Sequence, residues 1–218
     1  MALDLQTELT NLRRSILHMG ASVEQRVRWA VDALNEFDVD LAKRVRSSDQ
    51  EIDDMEIDIE EECLRILALL QPVASDLRFI LAVMRMNVDL ERIGDLARSI
   101  AKRVIDLASL PHAETPECLA EMGAATQRML GDALTAFSDE NMALARFIRK
   151  ADQRVDDLQK EVFAWCTNEI PARVEMTEAA IDVLSVARKL ERIADHATNI
   201  AEDVMFLIEG SIVRHSKA

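Results

Sequence analysis

The chain has 218 residues, 49% of them hydrophobic, with only 5 Gly, 4 Pro and no Tyr, and a formal net charge of -14. That length suits one large domain or two small ones sharing a core, and the shortage of turn residues argues against an all-β fold. The charge argues against nucleic acid and anionic membrane as partners, since both need a basic face. Abundant carboxylates instead suit hard cations or the basic surface of another protein.

Met1 to Thr10 carries no basic segment followed by an apolar run, so no signal peptide is expected. No uncharged apolar stretch approaches the ~18 residues that span a bilayer, and a cytoplasmic location is the expectation. Cys63, Cys118 and Cys166 are odd in number and form no C-x-x-C pair, which argues against a disulfide framework or a cysteine zinc site.

Hydrophobic periodicity predicts an all-α chain of six long helices, arranged as two pseudo-symmetric three-helix bundles. The first three helices are expected near 5–36, 39–69 and 73–108, and the second three near 117–137, 139–168 and 176–209. Residues 1–110 then form one repeat and 111–218 the other, joined by a linker at Ser109 to Pro116. Pro72 suits a helix start, and Pro171 is expected to break the pattern between the fifth and sixth helices. The sixth helix carries the clearest apolar stripe, from Val183 through Val186, Leu190, Ile193, Ala197 and Ile200 to Val204 and Leu207.

The repeats are visible as sequence. Leu90-Glu91-Arg92-Ile93-Gly94-Asp95 returns one hundred residues later as Leu190-Glu191-Arg192-Ile193-Ala194-Asp195. Asp49-Gln50-Glu51-Ile52-Asp53-Asp54 matches Asp152-Gln153-Arg154-Val155-Asp156-Asp157, and Asp32-Ala33-Leu34 matches Asp132-Ala133-Leu134. Small changes of offset are what loop insertions between equivalent helices produce.

Each motif sets two carboxylates four positions apart, on one helix face. Residues equidistant from the turn of an antiparallel hairpin lie side by side. With the first turn at Pro72, Asp53 falls beside Glu91 and Asp49 beside Asp95. With the second turn near Arg173, Asp156 falls beside Glu191 and Asp152 beside Asp195. Four carboxylates at one level raise one another's pKa or require a cation. Arg92 and Arg192 point about 100° away along the helix and cannot neutralise the group. Oxygen donors suit Mg, Ca, Mn or iron. The alternative for any one such pair is a solvated helix face. Against it, Leu77, Leu81, Met84 and Val88 form an apolar stripe leading into Glu91 and Asp95, which predicts that these acids continue a buried face.

Residues 49–62 hold nine acids and no Lys or Arg, and Glu56 is a further candidate ligand whose repeat counterpart is Gln159. His196, beside Asp195, is a weaker candidate, and Asn199 is placed to support the same site. Cys63 and Cys166 lie on apolar stripes and read as core. No Gly-rich phosphate loop, no G-x-S-x-G and no E-x-x-H motif of ferritin-like di-iron proteins accompanies the acids.

The stretch from Gln71 to Arg103 (QPVASDLRFILAVMRMNVDLERIGDLARSIAKR) and the copy from Ala187 to Val204 (ARKLERIADHATNIAEDV) resemble the PhoU family of phosphate-signalling proteins. That resemblance implies multinuclear iron or zinc clusters on the acidic motifs, here Asp49, Asp53, Glu91 and Asp95, and Asp152, Asp156, Glu191 and Asp195. It implies a homodimeric, non-enzymatic negative regulator of the phosphate-starvation response. Such a regulator links the ATPase of a phosphate-specific ABC transporter to a sensor histidine kinase, and meets the membrane only through those partners. A metal-dependent hydrolase and a metal-buffering protein are the rival readings of the same acids.

Overall fold

A computed structural model describes residues 4–47, 49–111 and 113–210, and of Asp49 the backbone alone. The chain is all helical, with no strand among the described residues. In order these helices are α1 (Leu5–Glu36), α2 (Val39–Ser47), α3 (Asp49–Leu70), α4 (Ala74–Ala108), α5 (Glu117–Ser138), α6 (Met142–Ala172) and α7 (Thr177–Glu209), with a 3-10 turn at Val174–Met176 before α7. The six long helices form two pseudo-symmetric bundles, one of α1, α3 and α4 with the short α2, the other of α5, α6 and α7.

The repeat reaches the turns. Phe37 takes a left-handed conformation (φ 52) and Asp38 then caps α2, its Oδ1 accepting from the N–H groups of Asp40 and Leu41, each at 2.9 Å. Glu140 (φ 48) does the same before Asn141, whose Oδ1 accepts from Leu144 N–H at 3.1 Å and caps α6. A short polar side chain satisfying the first free N–H groups of a helix is why these segments start where they do. It also moves the start of α6 to Met142 rather than 139. The helix expected at 39–69 is α2 and α3, on either side of residue 48, which lies outside the described residues. Pro171 does not stop α6, which runs on to Ala172. In an exposed last turn, the carbonyl that proline leaves unbonded can be solvated.

The core runs through the whole molecule. Every residue of the α7 stripe is buried, with Leu190, Ile193 and Ile200 at 0% exposure. The stripe on α4 differs from expectation: Leu77 and Val88 are 37% and 41% exposed, and Leu81 and Met84 only half-buried. The buried side of α4 carries Ile80, Val83, Leu90, Ile93 and Ile100 instead.

Two junctions join the bundles. At the first, α1 and α5 come close because Gly20 faces Leu134 and Gly123 faces Val31; a Cβ on either glycine would stand 2.6 and 2.8 Å from those side chains. At the second, α4 and α7 cross antiparallel at the centre through a polar row. Arg103 pairs with Asp182 at 2.9 Å, Asp89 meets His196 Nδ1 at 2.7 Å, and Arg85 pairs with Asp203 at 3.1 Å.

Candidate metal centres

Burial on both sides of each motif aims its acids. Leu90 and Ile93 are fully buried, leaving Glu91 half-buried and Asp95 exposed on α4. Leu190 and Ile193 hold α7 in the same way and leave Glu191 half-buried and Asp195 exposed. The hairpin register is fixed by bonds between helices. Asn87, buried on α4, donates from Nδ2 to the carbonyl of Glu56 on α3 at 2.8 Å. In the second repeat the buried Cys166 thiol donates to the carbonyl of Ala180 at 3.5 Å.

The electrostatics show which acids feel one another. Burial, then Asp95, Asp53 and Glu56, push Glu91 above the usual carboxylate range, with Arg92 opposing only weakly. Glu56 is itself raised by burial and by Glu60 and Asp53. In the second repeat, burial and the charges of Asp156 and Asp195 push Asp152 up to about 6. Burial raises Glu191, with Asp195, Asp156 and Asp152 adding to it, and burial followed by Asp156 raises Asp195. Asp53, Glu91 and Asp95 are thus neighbours, joined by Glu56, and Asp152, Asp156, Glu191 and Asp195 form a second group. The side chain of Asp49 lies outside the described residues.

The two groups differ in counter-charge. Asp95 is ion-paired with Arg98 at 2.8 Å. Arg26, buried on α1, approaches the α3–α4 hairpin near Gly94, whereas the equivalent position in the second repeat is Thr126, whose hydroxyl donates to the carbonyl of Leu190 at 3.4 Å. No Lys or Arg is ion-paired with Asp152, Asp156, Glu191 or Asp195 among the described residues. Thr198 Oγ1 sits beside Asp152, lowers its pKa slightly, and has no hydrogen bond of normal geometry.

Two candidates face elsewhere. His196 is buried against Asp89 across the α4–α7 junction, and Asn199 reaches the same Asp89 oxygen at 3.4 Å. Helical rotation turns His196 about 100° from Asp195 toward α4, whereas Asn199, four positions past Asp195, stays on the near side of α7 and reaches across to Asp89. Cys63 and Cys166 are core residues whose thiols burial pushes up to about 12 and about 11, far from a reactive thiolate. Asn87 and Thr198 escaped the sequence reading because neither recurs in the other repeat; the counterparts are Ala187 and Arg98.

Among the described residues no three His, Cys, Asp or Glu side chains converge as a closed metal cage. The donor chemistry nevertheless fits hard cations: carboxylates from two helices, crowded enough to raise one another's pKa, with no Lys or Arg ion-paired to the second group among the described residues. Such cations accept several carboxylates together with water. A bound cation would supply positive charge that offsets the repulsion among the acids.

The family model for the PhoU domain matches residues 16–104 and 119–204, most of each repeat. The chain belongs to the PhoU family. It is 40% identical over 211 residues to the phosphate-specific transport system accessory protein PhoU homolog of Pseudomonas aeruginosa, covering 95% of this chain and 86% of that one. It is 34% identical over 212 residues to the phosphate-specific transport system accessory protein PhoU of Escherichia coli, with the same coverage of 95% and 86%. The crystal structure of PhoU from Pseudomonas aeruginosa superposes with a TM-score of 0.92 at 37% identity, over 95% of this chain and all of that one. The phosphate transport system regulatory protein PhoU from Streptococcus pneumoniae gives 0.89 at 32% identity, over 96% and 99%. No helix among the described residues is long and apolar enough to cross a membrane.

Proposed function

We propose that this chain is a cytoplasmic negative regulator of the phosphate-starvation response and of phosphate uptake. In this reading it docks the ATPase subunit of a phosphate-specific ABC transporter and the sensor histidine kinase of the same system, works as a homodimer, and reaches the membrane only through those partners. Its kinship over nearly the full length to proteins named as accessory or regulatory to phosphate transport carries the reading. The acidic groups hold multinuclear iron or zinc through Asp49, Asp53, Glu91 and Asp95 and through Asp152, Asp156, Glu191 and Asp195, with Mg, Mn or Ca fitting the same oxygens. Neutralising the acids stiffens the α3–α4 and α6–α7 hairpins, which is what a docking scaffold needs.

The protein acts without turnover in this account. Both buried cysteines are protonated, and the imidazole nearest the acids is committed to Asp89.

Deleting the gene should leave phosphate-starvation genes switched on at high phosphate, and the purified protein should hydrolyse no phosphoester. Metal analysis of Glu91→Gln/Asp95→Asn, of Glu191→Gln/Asp195→Asn and of the quadruple variant should show stepwise loss. Normal repression in the deletion strain together with metal-dependent hydrolysis would favour a hydrolase. A quadruple variant holding as much metal as the parent would refute the ligand assignment.

A further inference from the structure

The cations that the acidic groups leave out gather in one place. A cleft of about 450 Å³ over the α4–α7 crossing is lined by Arg46, Arg92, Arg98, Lys102 and Arg192, with Asp95 as its one carboxylate. A second cleft of about 680 Å³ shares Leu96, Ser99 and Arg192 with the first and adds Arg188 and Lys189. In a chain of net charge -14 this is a reversal of sign. Asp95 is engaged by Arg98. Arg46, Arg92, Lys102, Arg188 and Arg192 make no ion pair among the described residues.

The fold brings these cations together by symmetry. Arg92 and Arg192 are the same position in the two repeats, each turned away from its acids. The antiparallel register set by Asp89 and His196 brings them level with one another.

Like charges held without counter-ions are relieved by an anion, and guanidinium groups grip phosphoryl oxygens in pairs. Two joined clefts with cations along their length suit a chain of charges better than a single oxyanion. The apolar wall of Ile181 and Leu184 leaves room for an uncharged extension.

We propose that the cleft over the α4–α7 crossing binds a compact anion of two or more linked phosphoryl groups, held between Arg92 and Arg192. This anion site depends on the charge arrangement and not on the regulatory role, so its absence would leave the regulator reading untouched.

Tripolyphosphate titrated calorimetrically into the metal-stripped, full-length protein at low salt should bind saturably, one per chain. Arg92→Gln/Arg192→Gln should weaken binding by about tenfold or more, the worth of a charge-assisted hydrogen bond. Arg128→Gln, on the exposed side of α5, should not. The double variant loses both the repulsion between the two guanidinium groups and their attraction for Glu91, Glu191 and Asp195, so its own ligand-free Tm is the baseline, and it should lose the ligand-induced rise in Tm. Arg92→Lys/Arg192→Lys, which keeps the charge but not the fork, should fall between, and serves if the neutral variant fails to fold. ATP binding as well as tripolyphosphate places recognition in the phosphoryl chain; ATP binding better adds the apolar wall. Equal binding by parent and double variant, or no preference over sulfate at matched ionic strength, overturns the proposal.

Discussion

Asp152 is the residue on which the second acidic group turns. Its folded pKa is raised to about 6 by burial and by Asp156 and Asp195, so between about pH 4 and 6 the folded chain holds a proton that the unfolded chain has lost. The contribution is favourable below the unfolded value and disappears as pH rises through the folded one. Metal-free protein should therefore lose stability across this window. The group is half-exposed, and screening leaves an effect on the order of 1 kcal/mol. Asp152→Asn should raise the metal-free stability at neutral pH by about that amount and change little near pH 4, as denaturant titrations at the two pH values will check. That Asp53 lies near Glu91, and Asp152 and Asp156 near Glu191 and Asp195, was legible in the sequence because equal distance from a turn is a geometric constraint that survives any choice of side-chain rotamer. Asn87 and Thr198 were not, because a single residue that does not recur in the other repeat gives no pattern to read. His196, a weak candidate from its place beside Asp195, faces Asp89 instead because one step along a helix turns it by about 100°.

At the level of single helices, periodicity identified α7 and misjudged one face of α4. A stripe spaced by three and four reports an apolar face but not whether another helix covers it. Ile193 lies fully inside, and Ile193→Ala should cost about 2–5 kcal/mol in chemical unfolding, as deletions in a packed core do. The glycines of the α1–α5 junction should separate by what they face. Gly20→Ala meets the end of Leu134, which can rotate, and should be near neutral because alanine favours helix by about 1 kcal/mol. Gly123→Ala meets the branched and stiff Val31, and overpacking should outweigh that gain by about 1–2 kcal/mol. The break points were harder to read. The Asp38 and Asn141 caps need a left-handed residue before them, and neither Phe37 nor Glu140 advertises that conformation in sequence.

At the scale of the molecule, the two repeats are held as one body by the partly buried α4–α7 row, whose acids are buried and whose arginines are about a third exposed, and by the α1–α5 contact. Buried ion pairs contribute little net stability when intact, but breaking one strands a charge. What they supply here is selectivity. Arg103 on α4 and Asp203 on α7 occupy the same repeat position with opposite charge, and each faces a partner of the other sign, Asp182 and Arg85. Suppose two first repeats associated through the same antiparallel crossing: Arg103 would stand where Asp203 stands and would confront Arg85. Two second repeats would bring Asp203 against Asp182. Each half is thus complementary to its sibling and repelled by its own kind. Expressed as separate polypeptides cut within the linker, residues 1–112 and 113–218 should co-purify as an unlike pair, and cysteines placed on α4 and α7 at the crossing should cross-link α4 to α7 but not α4 to α4 or α7 to α7. The duplication has in this way become a lock in which two nearly identical pieces can close only on each other.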